Sequence, residues 1–328
     1  MTHALRILNA EADGYSAEAR AILETLGRLE EGQLQRASLL QRLAGVQVLI
    51  TRLGHRVDRE LLGAAPDLLA VVTATTGLDH LDLDAARERG VEVLSLRGET
   101  DFLETIAATP EHTWALLLAL VRRLPAAFEH ARGGGWDRDR FRGSELADKR
   151  LGLVGLGRVG RRVSRYALAF GMEVAAVDPD AEAWQRPGAE GVEKADSLET
   201  LLRRSHVVSL HASLGPDTRG MIGDRELGWA RPGTILVNTA RGGLVDEAAL
   251  ARALRTGRLG GGAGDVVDHE RDAEQRLASP LFDYLRENGE AGNLIVTPHI
   301  AGATAESMAR TEVFMAHKLR DFLQTRAR

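Results

Sequence analysis

The sequence predicts an α/β protein of two domains, each built on a parallel sheet with helical crossovers. Three observations carry this. Short apolar strand candidates alternate with helix-compatible stretches along the chain, and strands spaced by helices imply parallel pairing. At 328 residues the chain is long for one core and comfortable for two. A glycine-rich strand-to-helix turn with glycines at 155, 157 and 160 stands at mid-chain, so the residues before it must build something else first.

In the first hundred residues the apolar runs Leu5–Leu8, Val46–Thr51, Leu68–Ala74 and Val91–Leu96 read as strands, with helices at Ala17–Leu26 and Asp84–Arg89. A longer helix is expected from about Glu111 to Arg123. Gly133–Gly135 and the polar stretch through Lys149 read as a loop-rich connection. Six strands follow, near 151–154, 173–177, 207–210, 234–237, 261–266 and 294–297. Val266–Asn293 is mostly polar and reads as a loop, and Ser307–Thr325 as an amphipathic final helix.

Composition narrows the function classes. Cysteine is absent, which excludes disulfides, thiol catalysis and cysteine-ligated metals, and no metal site is expected. The first residues lack a basic segment followed by a long apolar run, so no signal peptide is expected. The longest strongly apolar stretch, Trp114–Val121, is far too short to span a bilayer. A soluble cytoplasmic protein with no membrane partner is the expectation. Arginine outnumbers lysine 39 to 3, but 47 acidic residues bring the net charge to −5. The arginines are scattered and no aromatic platform accompanies them, so nucleic acid is not an expected partner.

The mid-chain turn carries specific chemistry. Leu151–Val154 leads into it, Arg161–Phe170 is helix-compatible, and Glu173–Val177 is a second strand that ends at Asp178. Strand, GxGxxG turn, helix, strand and acid is the order of a dinucleotide-binding unit. Gly155 permits the tight turn, Gly157 lets a diphosphate approach the backbone, and Gly160 allows close packing of helix on sheet. The helix N-terminus favours an anion. The Asp178 carboxylate can accept from ribose hydroxyls and repels a 2′-phosphate, so NAD is expected over NADP.

Three further segments each follow an apolar strand. Asn238-Thr-Ala-Arg-Gly-Gly places Arg241 at a strand end, Asp265-Val-Val-Asp-His-Glu places Glu270, and Thr297-Pro-His places His299. Parallel strands present their carboxyl ends to a ligand crevice. A guanidinium suits bidentate grip of a carboxylate. A histidine beside a carboxylate suits proton transfer, about 10²–10⁴-fold in rate. Together the three fit reduction of a 2-oxo acid: Arg241 binds the carboxylate, His299 exchanges the proton and Glu270 holds the imidazole. Arg52 and Arg97 also follow strands. One or both are expected to read a second anionic group, such as a phosphate or phosphonate; ordinary salt bridging is the alternative.

On these motifs, with Thr76-Gly-Leu-Asp-His-Leu-Asp82 and Glu111-His-Thr-Trp-Ala-Leu-Leu-Leu118, nearly the whole chain resembles the D-isomer-specific 2-hydroxyacid dehydrogenases. The resemblance implies two Rossmann-like domains, the NAD-binding domain (108–297) inserted into a split substrate domain (1–107 and 298–328), with the site in the cleft between them. It implies that Arg241, Glu270 and His299 are the catalytic trio. Thr75, Thr76 and Gly77 would contact the substrate carboxylate, with Thr76 also near the nicotinamide. Arg158 and Val159 would cover the diphosphate, and Thr239, Ala240 and Asp265 would line the nicotinamide end beside Arg241 and His299. A homodimer joined through the helix near Glu111 is implied, and no C-terminal regulatory domain is expected. The family usually has proline after its catalytic glutamate, where Arg271 stands here, and a proline before the glycine in the loop after Val91–Leu96, where Arg97-Gly98 stands. The usual small-acid specificities therefore do not carry over. The other readings are an NAD(H)-sensing, corepressor-like binding protein and a dehydrogenase of another small acid such as phosphite.

Overall fold

The computed structural model describes residues 5–289 and 292–326. The chain divides into unit 1, Met1–Ile106 with Ala303–Arg328, and unit 2, Ala107–Gly302. The sequence expectation put the second crossing at 297/298. Residues 299–301 belong with unit 2 because their backbone N–H groups donate to Asp265.

Unit 1 carries five parallel strands: β1 (Arg6–Asn9), β2 (Arg28–Glu31), β3 (Val48–Ile50), β4 (Ala70–Val72) and β5 (Glu92–Leu94), in the order β2-β1-β3-β4-β5. The all-buried Val48–Ile50 and Ala70–Val72 occupy the middle, as continuous apolar runs do when helices cover both faces. β2, with the sequence Arg-Leu-Glu-Glu, is a polar edge strand without the apolar signal that marks the others. The last helix, Ala305–Arg326, packs Met315, Ala316 and Leu319 into a core with Leu23 of the helix Ala17–Leu26 and with Ile7, Val48 and Ile50. The split unit is thus held together by apolar burial across the two ends of the chain.

Unit 2 carries seven parallel strands: β6 (Arg150–Val154), β7 (Glu173–Val177), β8 (Val192–Lys194), β9 (Val207–Leu210), β10 (Thr234–Asn238), β11 (Leu259–Gly264) and β12 (Leu294–Val296). Their order is β12-β11-β10-β9-β6-β7-β8. The chain winds outward from β6 to β8, returns, and winds the other way from β9 to β12, so the order reverses between β6 and β9. In open parallel sheets ligands bind at the carboxyl ends of the strands flanking such a reversal.

Two expectations are corrected. The segment after Val266 contains the helices Ala273–Leu277 and Pro280–Asn288. Asp272 and Ser279 cap them by accepting from Gln275 N and Leu281 N, and Pro280 occupies the first turn. Among the residues of these two helices only Leu281 and Tyr284 are buried, so the segment reads as polar. The helix expected over 111–123 runs Ala108–Val121, and a second, Leu124–Arg132, follows after Arg123 turns left-handed at φ 53°. No helix of the described residues is long and apolar enough to cross a membrane.

Arg52 takes the salt-bridging alternative. Its Nη2 lies 2.5 Å from Glu312 Oε1, its Nη1 donates to the Asp13 carbonyl, and its guanidinium stands over the Tyr15 ring. Glu312 is 2% exposed and also accepts from Ser16 N. The guanidinium neutralises this buried carboxylate, so the geometry speaks against its reading a substrate anion. Arg52→Ala, by leaving Glu312 buried without its cation, should cost about 3 kcal/mol, the low end for breaking a buried pair because Arg52 keeps some water contact. Urea unfolding checks this; a loss under about 0.5 kcal/mol, the usual range for a surface change, would contradict it.

Candidate active site

The carboxyl edge of the unit 2 sheet brings the sequence-predicted residues of that unit into one row. Taken in spatial order, Glu270 and His299 follow β11 and β12, Arg241 follows β10, His211 follows β9, the glycine turn follows β6 and Asp178 follows β7.

The glycine turn is built for an anion. Gly155 adopts φ 99°, and a Cβ there would lie 2.8 Å from the His211 backbone. A Cβ on Gly160 would lie 2.2 Å from the Gly155 carbonyl oxygen, so the helix Arg158–Ala169 sits hard against the turn. Gly157, the N-cap, faces open space: an added Cβ would meet nothing within 4 Å. No side chain caps this helix and its first turn carries no acid. An open approach, an uncapped N-terminus and the helix dipole fit a diphosphate at Gly157–Gly160. Arg161, buried, donates to the Pro187 carbonyl and, at 3.4 Å, to the Leu156 carbonyl of the turn. Asp178 accepts from Leu156 N at 2.6 Å and from Asp180 N at 2.8 Å, which fixes its carboxylate beside the same turn. These residues fit a dinucleotide.

His211 packs over this turn. Its N–H donates to the Val154 carbonyl and its Nε2 lies 3.0 Å from Ser209 Oγ. Burial holds the imidazole down to about 3, so it is neutral at working pH.

Arg241 lies in a turn stapled by Asn238, whose amide donates to the Arg241 carbonyl and whose Oδ1 accepts from Ala240 N. Its Nη1 donates to the Ala240 carbonyl. At Gly242 the turn crosses the next loop so closely that a Cβ would sit 2.0 Å from the Val267 carbonyl carbon. Any side chain would push the Arg241 turn and the Glu270 loop apart.

The Glu270 loop is held from several sides. Asp268 N donates to Glu247 Oε1 at 2.7 Å, and Ser279 Oγ donates to Glu247 Oε2. Burial pushes the Glu247 carboxyl up from its ordinary value. Arg219 pairs with the Asp268 carboxylate at 3.1 Å, and Arg276 Nη1 donates to the Glu270 carbonyl at 2.5 Å. His299 Nδ1 lies 2.6 Å from Glu270 Oε1, with both side chains partly exposed at 24% and 22%. This contact directs the other ring nitrogen, Nε2, away from the carboxylate.

His299 has a left-handed backbone, φ 55°, unusual for a non-glycine residue. Asp265, fully buried, holds it there. The Asp265 carbonyl accepts from His299 N. Its carboxylate accepts from Thr297 Oγ1 and Ile300 N on Oδ1 and from Ala301 N on Oδ2.

Other expected site residues separate into two groups. Thr239 and Asp265 face inward: the Thr239 hydroxyl meets Thr113 Oγ1 at 2.7 Å, and both residues are buried. Their side chains hold the site's turns together and do not form its surface. Thr75, Thr76, Gly77 and Arg97 lie in unit 1 at the carboxyl ends of β4 and β5. Thr76 is exposed, Thr75 Oγ1 donates to the Gly77 carbonyl, and Arg97 Nε donates to the Thr76 carbonyl at 3.4 Å. Glu99 pairs instead with Lys318. Sequence reasoning missed Glu247, Arg276 and His112, which act on backbone or on other side chains and carry no local signature.

Residues 114–301 match the family described as D-isomer specific 2-hydroxyacid dehydrogenase, NAD binding domain. The chain is 40% identical over 296 residues to the (S)-sulfolactate dehydrogenase of Chromohalobacter salexigens, covering 89% of each. It is 33% identical over 313 residues to the D-3-phosphoglycerate dehydrogenase of Methanocaldococcus jannaschii, covering 95% of this chain and 56% of that protein. The chain thus spans little more than half the length of the phosphoglycerate dehydrogenases it matches. Among solved structures, the D-lactate dehydrogenase of Aquifex aeolicus complexed with NAD and lactic acid superposes with a TM-score of 0.82 at 27% identity, over 98% of this chain and 96% of that one.

The neutral His211 makes a pH prediction. Its folded value of about 3 lies below the unfolded value near 6.5, so its contribution to stability is complete above pH 6.5 and is lost as pH falls toward 3. The slope is about 1.4 kcal/mol per pH unit at most. Between pH 7.5 and 5 the wild type should therefore lose about 1–2 kcal/mol more than His211→Gln in urea unfolding. Equal losses would contradict the burial of a neutral imidazole.

Proposed function

The chain belongs to the D-isomer specific 2-hydroxyacid dehydrogenase family, and from that premise we propose that it interconverts a D-2-hydroxy acid and its 2-oxo acid with NAD. The observation that carries this reading is the His299–Glu270 contact of 2.6 Å at the strand edge that also carries Arg241 and the glycine turn.

In the oxidative direction His299 Nε2 accepts the proton of the substrate 2-hydroxyl while the hydrogen on C2 departs as hydride. In reduction it returns that proton to the carbonyl oxygen. The Glu270 carboxylate stabilises the imidazolium that appears in one direction and fixes the ring in both. Arg241 pairs with the substrate carboxylate and orients C2. When bound, NAD(H) supplies the hydride acceptor or donor. The backbone of Gly155–Gly160, with Arg158 and Val159, would hold its diphosphate, and Asp178 its ribose hydroxyls. The negative charge of Asp178 would disfavour a 2′-phosphate.

The substrate class we propose is a 2-hydroxy acid with a second anionic group. Two of the relatives named above act, by name, on phosphate- or sulfonate-bearing acids. Arg97 supports this reading. It follows a strand end, lies against the Thr75–Gly77 loop, and has no carboxylate partner among its described bonds. We also propose a homodimer, as the family resemblance implies. The helix Leu124–Arg132 has no buried residue, and Leu124, Phe128 and Trp136 are 52%, 65% and 95% exposed. An apolar surface of this kind fits a protein partner.

The test is NADH oxidation with a panel of 2-oxo acids, with and without a terminal phosphate, phosphonate or sulfonate. Turnover of the dianionic members at about tenfold higher kcat/KM is expected, and Arg97→Ala should raise their KM about tenfold, the worth of one charged hydrogen bond. No turnover of any member would sink the dehydrogenase reading, and an unchanged KM in Arg97→Ala would sink the second-anion reading.

A further inference from the structure

We propose that His112 is a positioning residue for His299, acting through Asp265 and Thr297. His112 stands in the first turns of the helix Ala108–Val121, far from His299 in sequence. Its Nε2 lies 3.0 Å from Thr297 Oγ1 and 3.3 Å from Asp265 Oδ1.

The direction of these bonds follows from the geometry. Thr297 Oγ1 lies 2.5 Å from Asp265 Oδ1, and a carboxylate oxygen only accepts, so the threonine hydrogen points there. The longer 3.4 Å contact to the Gly264 carbonyl is the weaker competitor for it. Toward His112 the threonine oxygen is then an acceptor. Nε2 must carry a hydrogen, and the same N–H faces the Asp265 carboxylate. His112 therefore donates into the one cluster that fixes residues 297–301.

The energetics give this contact weight. Asp265 is 0% exposed, and a fully buried carboxylate is strongly disfavoured unless its lone pairs are met. Thr297, Ile300 and Ala301 supply three donors, all from the loop being held. His112 is the donor that comes from outside that loop, from a helix whose apolar face is packed in the core with Trp114, Leu116 and Leu117. It ties the cluster to a rigid element. Without it, the carboxylate and the loop can shift together, and the His299 imidazole shifts with them. Thr113 on the same helix makes the parallel contact to Thr239 beside Arg241, so two adjacent residues of one helix brace two turns of the site.

The catalytic half of this inference rests on the reading of His299 as the proton-exchanging group; the structural half does not. The experiment separates them using His112→Leu and His112→Gln in the full chain. Gln places an N–H₂ donor the same number of atoms from Cα, and Leu fills similar space without a donor. Hydrogen exchange by mass spectrometry on peptides covering 297–303 should quicken at least about tenfold in the Leu variant and stay within about threefold in the Gln variant. kcat should fall at least about tenfold in Leu and recover most of that in Gln, while the KM for the 2-oxo acid and the Kd for NADH change less than about threefold. Unchanged exchange in Leu, equal damage in Leu and Gln, or quickened exchange with unchanged kcat would each overturn the proposal. If the wild type turns over no 2-oxo acid, the enzymatic reading falls and the exchange data alone decide whether His112 holds the loop.

Discussion

The buried carboxylate of Asp265 is the constraint on which the site depends. It closes a short loop on itself: its carbonyl receives His299 N, and its two oxygens receive Thr297, Ile300 and Ala301. A left-handed histidine costs about 1–3 kcal/mol, and hydrogen bonds to a charged acceptor return about 1.5–3 kcal/mol each. Several such bonds outweigh the strain, so His299 is held where an unconstrained residue would relax. The same bonds compensate the burial of the charge. Removing the carboxylate would release both at once.

The rest of the arrangement follows from parallel strands and close approach. β10, β11 and β12 are neighbours in one sheet, so the residues that follow them emerge side by side. That alone would leave Arg241 and Glu270 on separate loops. Gly242 lets the two loops cross at backbone contact distance, and Glu247, Arg219 and Arg276 fix the far side of the Glu270 loop. Glu270 then meets His299 from a loop with little freedom left, and pre-organisation of this kind favours proton transfer in the transition state.

Much of this was legible in the sequence, for identifiable reasons. Strands β6, β10 and β12 are apolar runs and β11 is a glycine-rich one, and each is followed by residues whose chemistry is conspicuous: glycines at fixed spacing, one arginine, one histidine and one glutamate respectively. The polar edge strand Arg28–Glu31 and the helices at 273–288 were not legible, because they bury few apolar side chains and so lack periodicity. In the sequence Arg52 stays open between a ligand and a salt bridge because a strand-end arginine looks the same whether its partner is a ligand or Glu312, which lies 260 residues away. His112 had no local context either; its meaning appears only when the helix is placed beside Asp265. Long-range pairing is where pattern reading stops, since the partners are set by topology.

The central claim is that His299, held by Glu270, exchanges the substrate proton. The pH dependence of kcat/KM measured in both directions tests it most directly. The wild type should show an ionisation that is required protonated for 2-oxo acid reduction and deprotonated for 2-hydroxy acid oxidation. That ionisation should vanish from the residual activity of His299→Gln. If the same ionisation persists in His299→Gln at its wild-type position, another group exchanges the proton and the account is wrong.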